Sequence, residues 1–309
     1  MHRCLIQKDS YHKRKELFGA LFVCDTIVVM IIFGIAILGL ILGSFVNALV
    51  WRLRQQDVQS AMPSRKKKKS SDAEDYSIMH GRSMCPDCHH TLAAKDLVPV
   101  LSWVLLSGKC RYCRKPISWQ YPLVELLVSA AFALSYILWP LELDAYGITR
   151  LAVGLVYVVF FVALSVYDLR WQELPDRLVW PLVAIAVCEA AFIAIWQQNI
   201  QSFLWASLAG TLLFGFFWVI FQVSGGRWIG GGDVKLVLAL GVIVGTPLQA
   251  FLVIFIASVI GTLASLPMLL SHRPTRGLQI PFGPALILAT CIVYFAGAAI
   301  ITWYQGLLY

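Results

Sequence analysis

A chain of 309 residues that is 59% hydrophobic and only 14% charged, with a mean hydropathy of +0.74, carries far more apolar sequence than a soluble core of that size needs. This excludes an ordinary globular protein and predicts an all-α polytopic membrane protein. The net charge of +8 would suit nucleic acid, but 13 of the 25 Lys and Arg lie between Arg52 and Lys115, a clustering that reads as membrane topology, so no nucleic-acid partner is expected.

In chain order, residues 1–29 form an N-terminal extension. It has no cleavable signal pattern, because the first apolar run is too long and leads straight into a basic segment. The first membrane helix is predicted over 30–54, within an apolar run that starts near 26. A polar stretch, 55–120, follows. Its first part holds Arg65, then Lys66 to Lys69, then Asp72, Glu74 and Asp75, and reads as a solvated linker with a secondary capacity to hold anionic lipid headgroups. Residues 121–309 form a membrane-embedded domain, with apolar runs at 121–140, 148–167, 178–196, 202–222, 247–270 and 284–304. One further run, 234–245, falls below the roughly 17–25 residues of a full crossing and reads as a half-helix or tilted element. The total is about eight membrane helices in a lipid bilayer, with no internal repeat.

The distribution of positive charge orients these spans. Loop 51–120 is expected in the cytoplasm. Alternation then places 168–177, 223–233 and 271–283 on the same side, where with their flanks they hold Arg170, Arg177, Arg227, Lys235, Arg273 and Arg276. The opposite loops hold only Arg150, and the C-terminus is expected outside. The N-terminal Arg3, Lys8, Lys13, Arg14 and Lys15 fall on the outer side by the same alternation. The heavier loop should win that competition, and translation starting at Met30 would remove the conflict.

Within 81–120, Cys85-Pro86-Asp87-Cys88 and Cys110-Arg111-Tyr112-Cys113 are two CxxC knuckles with 21 residues between them, just beyond the usual zinc-ribbon range. Four thiolates suit a closed, tetrahedral, structural Zn²⁺ site. Reduced cytoplasmic thiols favour metal over two disulfides. His89 and His90 beside the first knuckle read as surface residues. A zinc ion would fold a module of about 40 residues that is too small to hold a core unaided.

Two carboxylates stand out because an ionisable group at membrane depth is costly. Asp233 opens an apolar run behind Gly230-Gly231-Gly232. An N-cap role is its bland explanation, yet the three glycines together go beyond what a cap needs and permit close backbone approach or unusual dihedrals. Asp168 ends an apolar run, where the helix dipole disfavours negative charge and capping cannot account for it. The two helix ends suggest unequal roles: Asp233 as the base that activates water, Asp168 as the acid that polarises a scissile carbonyl. Asp176, after Pro175, reads as an N-cap. Glu125 is expected in a first helical turn after Tyr121-Pro122, as a dipole partner or a functional group. Lys235 could pair with Asp233 or snorkel to headgroups. Asn47 is a polar residue inside the first span, and Arg52 and Arg54 read as flanking anchors. No HExxH, GxSxG or Walker-type loop competes.

In order along the chain, several segments resemble the motifs of the type IV prepilin peptidase family, GxGD-type aspartic proteases of the bacterial inner membrane. They are Gly43-Ser44-Phe45-Val46-Asn47 with Arg52, the four-cysteine module from Arg82, and Ile117 through Glu125. Asp168 with Leu174-Pro175-Asp176, Gly230 through Leu236, and Ile280-Pro281-Phe282-Gly283-Pro284 complete the set. The resemblance covers about 30–300. It implies cleavage of the leader of type IV prepilins or type II secretion pseudopilins on the cytoplasmic side, with Asp168 and Asp233 as the catalytic pair. Members with the cysteine module usually also N-methylate the new N-terminus with S-adenosylmethionine, whose binding residues the motifs do not identify. Gln120 stands where the family usually has Arg, and Arg54 where Pro often follows Arg-Leu. A peptidase without methylation is the alternative. A transporter using the carboxylates as a proton relay is a more distant one, opposed by the lack of repeats and the confinement of the carboxylates to one face.

Overall fold

The computed structural model describes residues 11–61, 76–77, 81–270 and 281–308. The Lys66–Lys69 run, Arg273, Arg276 and Ile280 lie outside these, as do residues 1–10. Among the described residues there are nine α-helices and no strand beyond two isolated bridges. The helices are α1 (Tyr11–Ala61), a short α2 (Leu101–Leu105), α3 (Gln120–Ile137), α4 (Ala145–Trp171) and α5 (Asp176–Trp196). After these come α6 (Ile200–Ser224), α7 (Gly231–Val244), α8 (Pro247–Leu270) and α9 (Gly283–Leu308). All but α2 and α7 are long and apolar enough to cross a membrane, which makes this a multi-pass membrane protein. The six apolar runs after 120 and the run near 26 each became one such helix. The eighth element is α7.

α1 is longer than the span predicted over 30–54. It runs without a break through Met30 and on to Ala61. Residues 50–61 contain no Gly or Pro, so helix propensity persists beyond the apolar stretch. The polar end also finds partners: the Tyr167 hydroxyl donates to Asp57 at 2.6 Å, and Gln56 donates to the Tyr76 carbonyl at 2.6 Å.

The chain divides into two compact units. The first is Met1–Ser44 with Ala93–Ile137. There, Gly39 and Gly43, four residues apart, let α1 approach α3 closely. A Cβ at Gly39 would lie 2.7 Å from Ser129 Cα, and one at Gly43 would lie 2.6 Å from Glu125 Cα. Small residues at this spacing are how helices pack where lipid removes the hydrophobic drive. The Ser129 hydroxyl completes the seam by donating to the Ala36 carbonyl at 2.8 Å.

The second unit is Phe45–Leu92 with Leu138–Tyr309, and α7 is its core. Beyond Lys235 this short helix is apolar on every side, and such a helix is buried in protein. Its residues Leu236, Val237, Ala239 and Leu240 are fully inaccessible, and it packs against α5, α6, α8 and α9. Gly241 lies so close to Gly210 on α6 that a Cβ would come within 2.6 Å of the Gly210 Cα. α4 packs against α5 and α9, and one buried polar cluster joins all three. The Arg150 Nε donates to Glu189 at 2.8 Å, the Tyr157 hydroxyl donates to the other Glu189 oxygen at 2.5 Å, and the Arg150 Nη2 donates to Tyr294 at 3.1 Å. Sequence inspection registered Arg150 only as a lone outer-side charge and missed Glu189 altogether.

Candidate active site

A cavity of about 430 Å³ lies in the second unit, lined by the last turn of α4, the loop to α5, the start of α7 and Asp57 of α1. It brings together Asp168, Asp233, Asp176, Lys235, Gly230 and Gly232.

Asp168 occupies the last turn of α4 and is 5% exposed. Gln172 ends that helix in the left-handed region, φ 54°, with its N–H on the Asp168 carbonyl. The chain turns back there, leaving the Asp168 side chain on the cavity. Its carboxylate does have a cap, supplied from elsewhere: the N–H of Gly283, the first residue of α9, donates to Asp168 Oδ2 at 3.1 Å. An anion disfavoured at the end of its own helix thus sits at the favourable N-terminus of another.

Asp233 is the third residue of α7, whose N-cap is Gly230, so the expectation of an N-cap aspartate is not met. Its carboxylate instead hydrogen-bonds back to the Gly230 backbone N–H, one half of a capping box. It lies close enough to Asp168 for the two charges to interact. Each aspartate therefore takes one backbone N–H at a helix N-terminus, and the asymmetry expected from the helix ends is largely cancelled. Neither has a cationic partner among the described residues. Two such carboxylates on one cavity suit a shared proton and activation of water.

The glycines divide. A Cβ at Gly232 would lie 2.8 Å from Leu174 Cβ, so glycine lets α7 start hard against the loop. Gly230, at φ −71° and ψ 145°, holds a conformation open to any residue and has ordinary room around it.

Asp176 is not an N-cap. It is the first residue of α5, Pro175 is the cap position and no side-chain cap bond forms. Asp176 instead accepts two bonds from Lys235 Nζ, at 2.7 and 2.9 Å, so Lys235 pairs with Asp176 and not with Asp233. Glu125 belongs to the first unit and sits in the second turn of α3, which starts at Gln120. This removes the first-turn dipole explanation. It is 7% exposed, accepts the Val100 N–H at 2.7 Å, and is hydrogen-bonded by Ser44. Asn47 is buried in α1. Arg52 is no membrane anchor: it is 7% exposed and donates to the carbonyls of Gly81 at 2.7 Å and Ser77 at 3.3 Å. Arg54 pairs with Glu173 at 2.9 Å and lies over the Trp171 ring.

Asp57, Tyr167 and Glu173 line the cavity unforeseen. The unbroken helical propensity past residue 54 was the signal available for Asp57. Nothing local marks Gly283 as a donor to Asp168.

The two cysteine knuckles have the same backbone construction. The N–H of Cys85 donates to the His90 carbonyl and that of Cys110 to the Lys115 carbonyl. The bridges Met84–Thr91 and Lys109–Pro116 flank them. His89 and Arg114 take the positive-φ position of each turn, at 53° and 60°, which explains His89 as a turn residue. The four thiol sulfurs lie within 4.8 Å of one another. Ligands about 2.3 Å from a tetrahedral zinc are about 3.8 Å apart, so the set fits a metal ion such as zinc with no open position for substrate. Asp96 braces the second knuckle by accepting from Arg111 at 2.7 Å and Tyr112 at 3.2 Å.

Residues 37–139, which contain the four cysteines, match the bacterial peptidase A24 N-terminal domain. Residues 155–266, which contain both aspartates, match the type IV leader peptidase family. A relative from Escherichia coli, the type 4 prepilin-like proteins leader peptide-processing enzyme, is 37% identical over 81% of this chain and 88% of its own. Relatives from Aeromonas hydrophila and Neisseria gonorrhoeae, each named prepilin leader peptidase/N-methyltransferase, are 33% and 30% identical. Both of those alignments cover 86% of this chain and 90% of the relative. No solved structure is significantly similar to the chain. On the extent and identity of these matches, the chain belongs to the type IV leader peptidase family.

Proposed function

We propose that this protein removes the leader peptide from type IV prepilins or pseudopilins at the cytoplasmic face of the bacterial inner membrane, and N-methylates the new N-terminus. The observation that carries the peptidase is the pairing of Asp168 and Asp233 on one cavity, two carboxylates with no cationic partner among the described residues. A water held between them loses a proton to one aspartate as it attacks the scissile carbonyl. The other aspartate gives a proton to the carbonyl oxygen. Collapse of the tetrahedral intermediate returns the proton to the leaving amine. Because each carboxylate is held by a backbone N–H of its own, Gly283 for Asp168 and Gly230 for Asp233, they are best treated as a pair sharing a proton, without a fixed acid and base. Gly230, Gly232, Lys235 and Asp176 shape the approach to the pair. The glycine-bordered mouth of the cavity suits an extended peptide.

Charge supports the cytoplasmic side. Arg54, Arg170, Arg177, Arg227 and Lys235 lie near the helix ends that border the cavity, whereas the far end of α4 carries only the half-buried Arg150. By this topology loop 51–120 is cytoplasmic and the C-terminus is outside. Cys85, Cys88, Cys110 and Cys113 would hold a structural Zn²⁺ that supplies folding energy to the module. Methylation follows the names of the relatives, with S-adenosylmethionine as donor.

The test is product mass. Purified protein in detergent is mixed with a prepilin, with and without S-adenosylmethionine. The expected product lacks the leader and gains one methyl only when the donor is present. Leader removal that survives both Asp168→Asn and Asp233→Asn would sink the two-aspartate mechanism. Cleavage without added methyl mass would favour a peptidase alone, the reading to which Gln120 points.

A further inference from the structure

We propose that Gly283 is a positioning residue for peptide cleavage, holding the Asp168 carboxylate toward Asp233 through its backbone N–H and its missing side chain. This rests on the two-aspartate reading above and extends it to a residue outside both matched segments, 37–139 and 155–266.

The reason is local to the start of α9. The first turn of a helix has N–H groups with no partner inside the helix. Here Pro284 has no N–H to offer, and the Leu286 N–H already bonds the Phe282 carbonyl at 3.1 Å. The Gly283 N–H is an orphan donor and is aimed at Asp168 Oδ2, 3.1 Å away. With Oδ2 held, Oδ1 is the oxygen left to share water.

Glycine is required here by proximity rather than by conformation. Gly283 is not among the residues with positive φ. A Cβ at this position would lie 2.6 Å from Asp168 Oδ2 and 3.3 Å from its Cγ. The obstacle is the end of a side chain, so the clash is relieved by turning the carboxylate, a small motion that leaves the helices in place. The start of α9 cannot easily retreat instead. Phe282 is stacked on Phe217 at 6.4 Å and packs against Gly261, whose Cβ would lie 3.3 Å from the ring. Any side chain at 283 is therefore expected to misdirect Asp168 before it disturbs the fold.

Two measurements on the full-length protein in detergent test this. In the prepilin assay, Gly283→Ala should lower kcat about a hundredfold, since misplacing a catalytic group by about 1 Å has effects of that order. KM should stay within about twofold, because peptide binding is untouched. Leu288→Ala, at an exposed position on the same helix, should leave both constants unchanged. The second measurement is a thermal double-mutant cycle. Gly283→Ala should lower Tm in the wild-type background and fail to do so in Asp168→Ala, where the clash is gone and Ala favours helix. If Gly283→Ala does not fold at all, adding Asp168→Ala should restore folding. Additive Tm shifts, no rescue, or an unchanged kcat for Gly283→Ala would each overturn the proposal while leaving the aspartate mechanism standing. A wild-type protein that cleaves no prepilin would overturn the mechanism and the catalytic part of this proposal with it, and the cycle would still decide the contact.

Discussion

The buried cluster at the far end of α4 offers a sharp test of how this fold is held together. Glu189→Ala removes the acceptor for Arg150, at 2.8 Å, and for the Tyr157 hydroxyl, at 2.5 Å. The Arg150 side chain is 18% exposed and that of Glu189 only 4%, so the guanidinium cannot simply move into water. Breaking a buried ion pair on one side costs about 3–5 kcal/mol, mainly because the remaining charge stays uncompensated. At roughly 2 °C per kcal/mol for a chain of this size, Tm in detergent should fall by about 6–10 °C. Glu189→Gln keeps an acceptor and should lose less. Replacing both partners, Arg150→Met with Glu189→Leu, should recover much of the loss, since no stranded charge remains. Asp168 lies 18 residues along α4 from Arg150, about 27 Å at 1.5 Å per residue, so prepilin cleavage well below Tm should persist in every variant. A Glu189→Ala protein that melts within 2 °C of wild type, or a double variant no better than the single, would refute the stranded-charge reasoning.

Four further outcomes are expected. Asp168→Asn and Asp233→Asn should each cut kcat of prepilin cleavage by about 10²–10⁴-fold, the range for loss of a positioned acid–base group, with Tm unchanged or raised. Metal analysis should find one zinc per chain, and Cys110→Ser or a strong chelator should abolish it and expose 81–120 to protease while the membrane helices stay protected. Lys235→Met should shift Tm by less than about 2 °C, because its pair with Asp176 is solvent-exposed and worth at most about 1 kcal/mol. Glu125→Leu should speed hydrogen exchange at the Val100 amide by more than tenfold. That amide loses its carboxylate acceptor, and Val100 is held at φ 60° and ψ −50°, a strained conformation for a β-branched residue.

Much of this protein is legible without coordinates because bilayer solvation is a strong, one-dimensional constraint. Length and hydropathy alone located the seven long spans and the short α7, and knuckle spacing alone located the four thiols. The cost of charge in an apolar run marked Asp168 and Asp233. Where the expectations failed, they relied on capping rules that look only a few residues along the chain. Asp176 looked like an N-cap and is an ion-pair partner 59 residues from Lys235. Glu125 looked like a first-turn dipole residue and is a buried acceptor 25 residues from Val100. Arg52 looked like a lipid anchor and instead holds two carbonyls of the following loop.

The sequence by itself determined which segments enter the membrane, which cysteines form a metal-sized set and which two carboxylates demand an explanation, since each follows from composition, spacing or solvation cost within one segment. Only the tertiary structure decided what meets those carboxylates. Asp168 has no cap on its own helix, and its donor, Gly283, lies 115 residues away. No local rule reaches that far, because the contact exists only once α4 and α9 have packed and brought the C-terminal end of one beside the N-terminal end of the other.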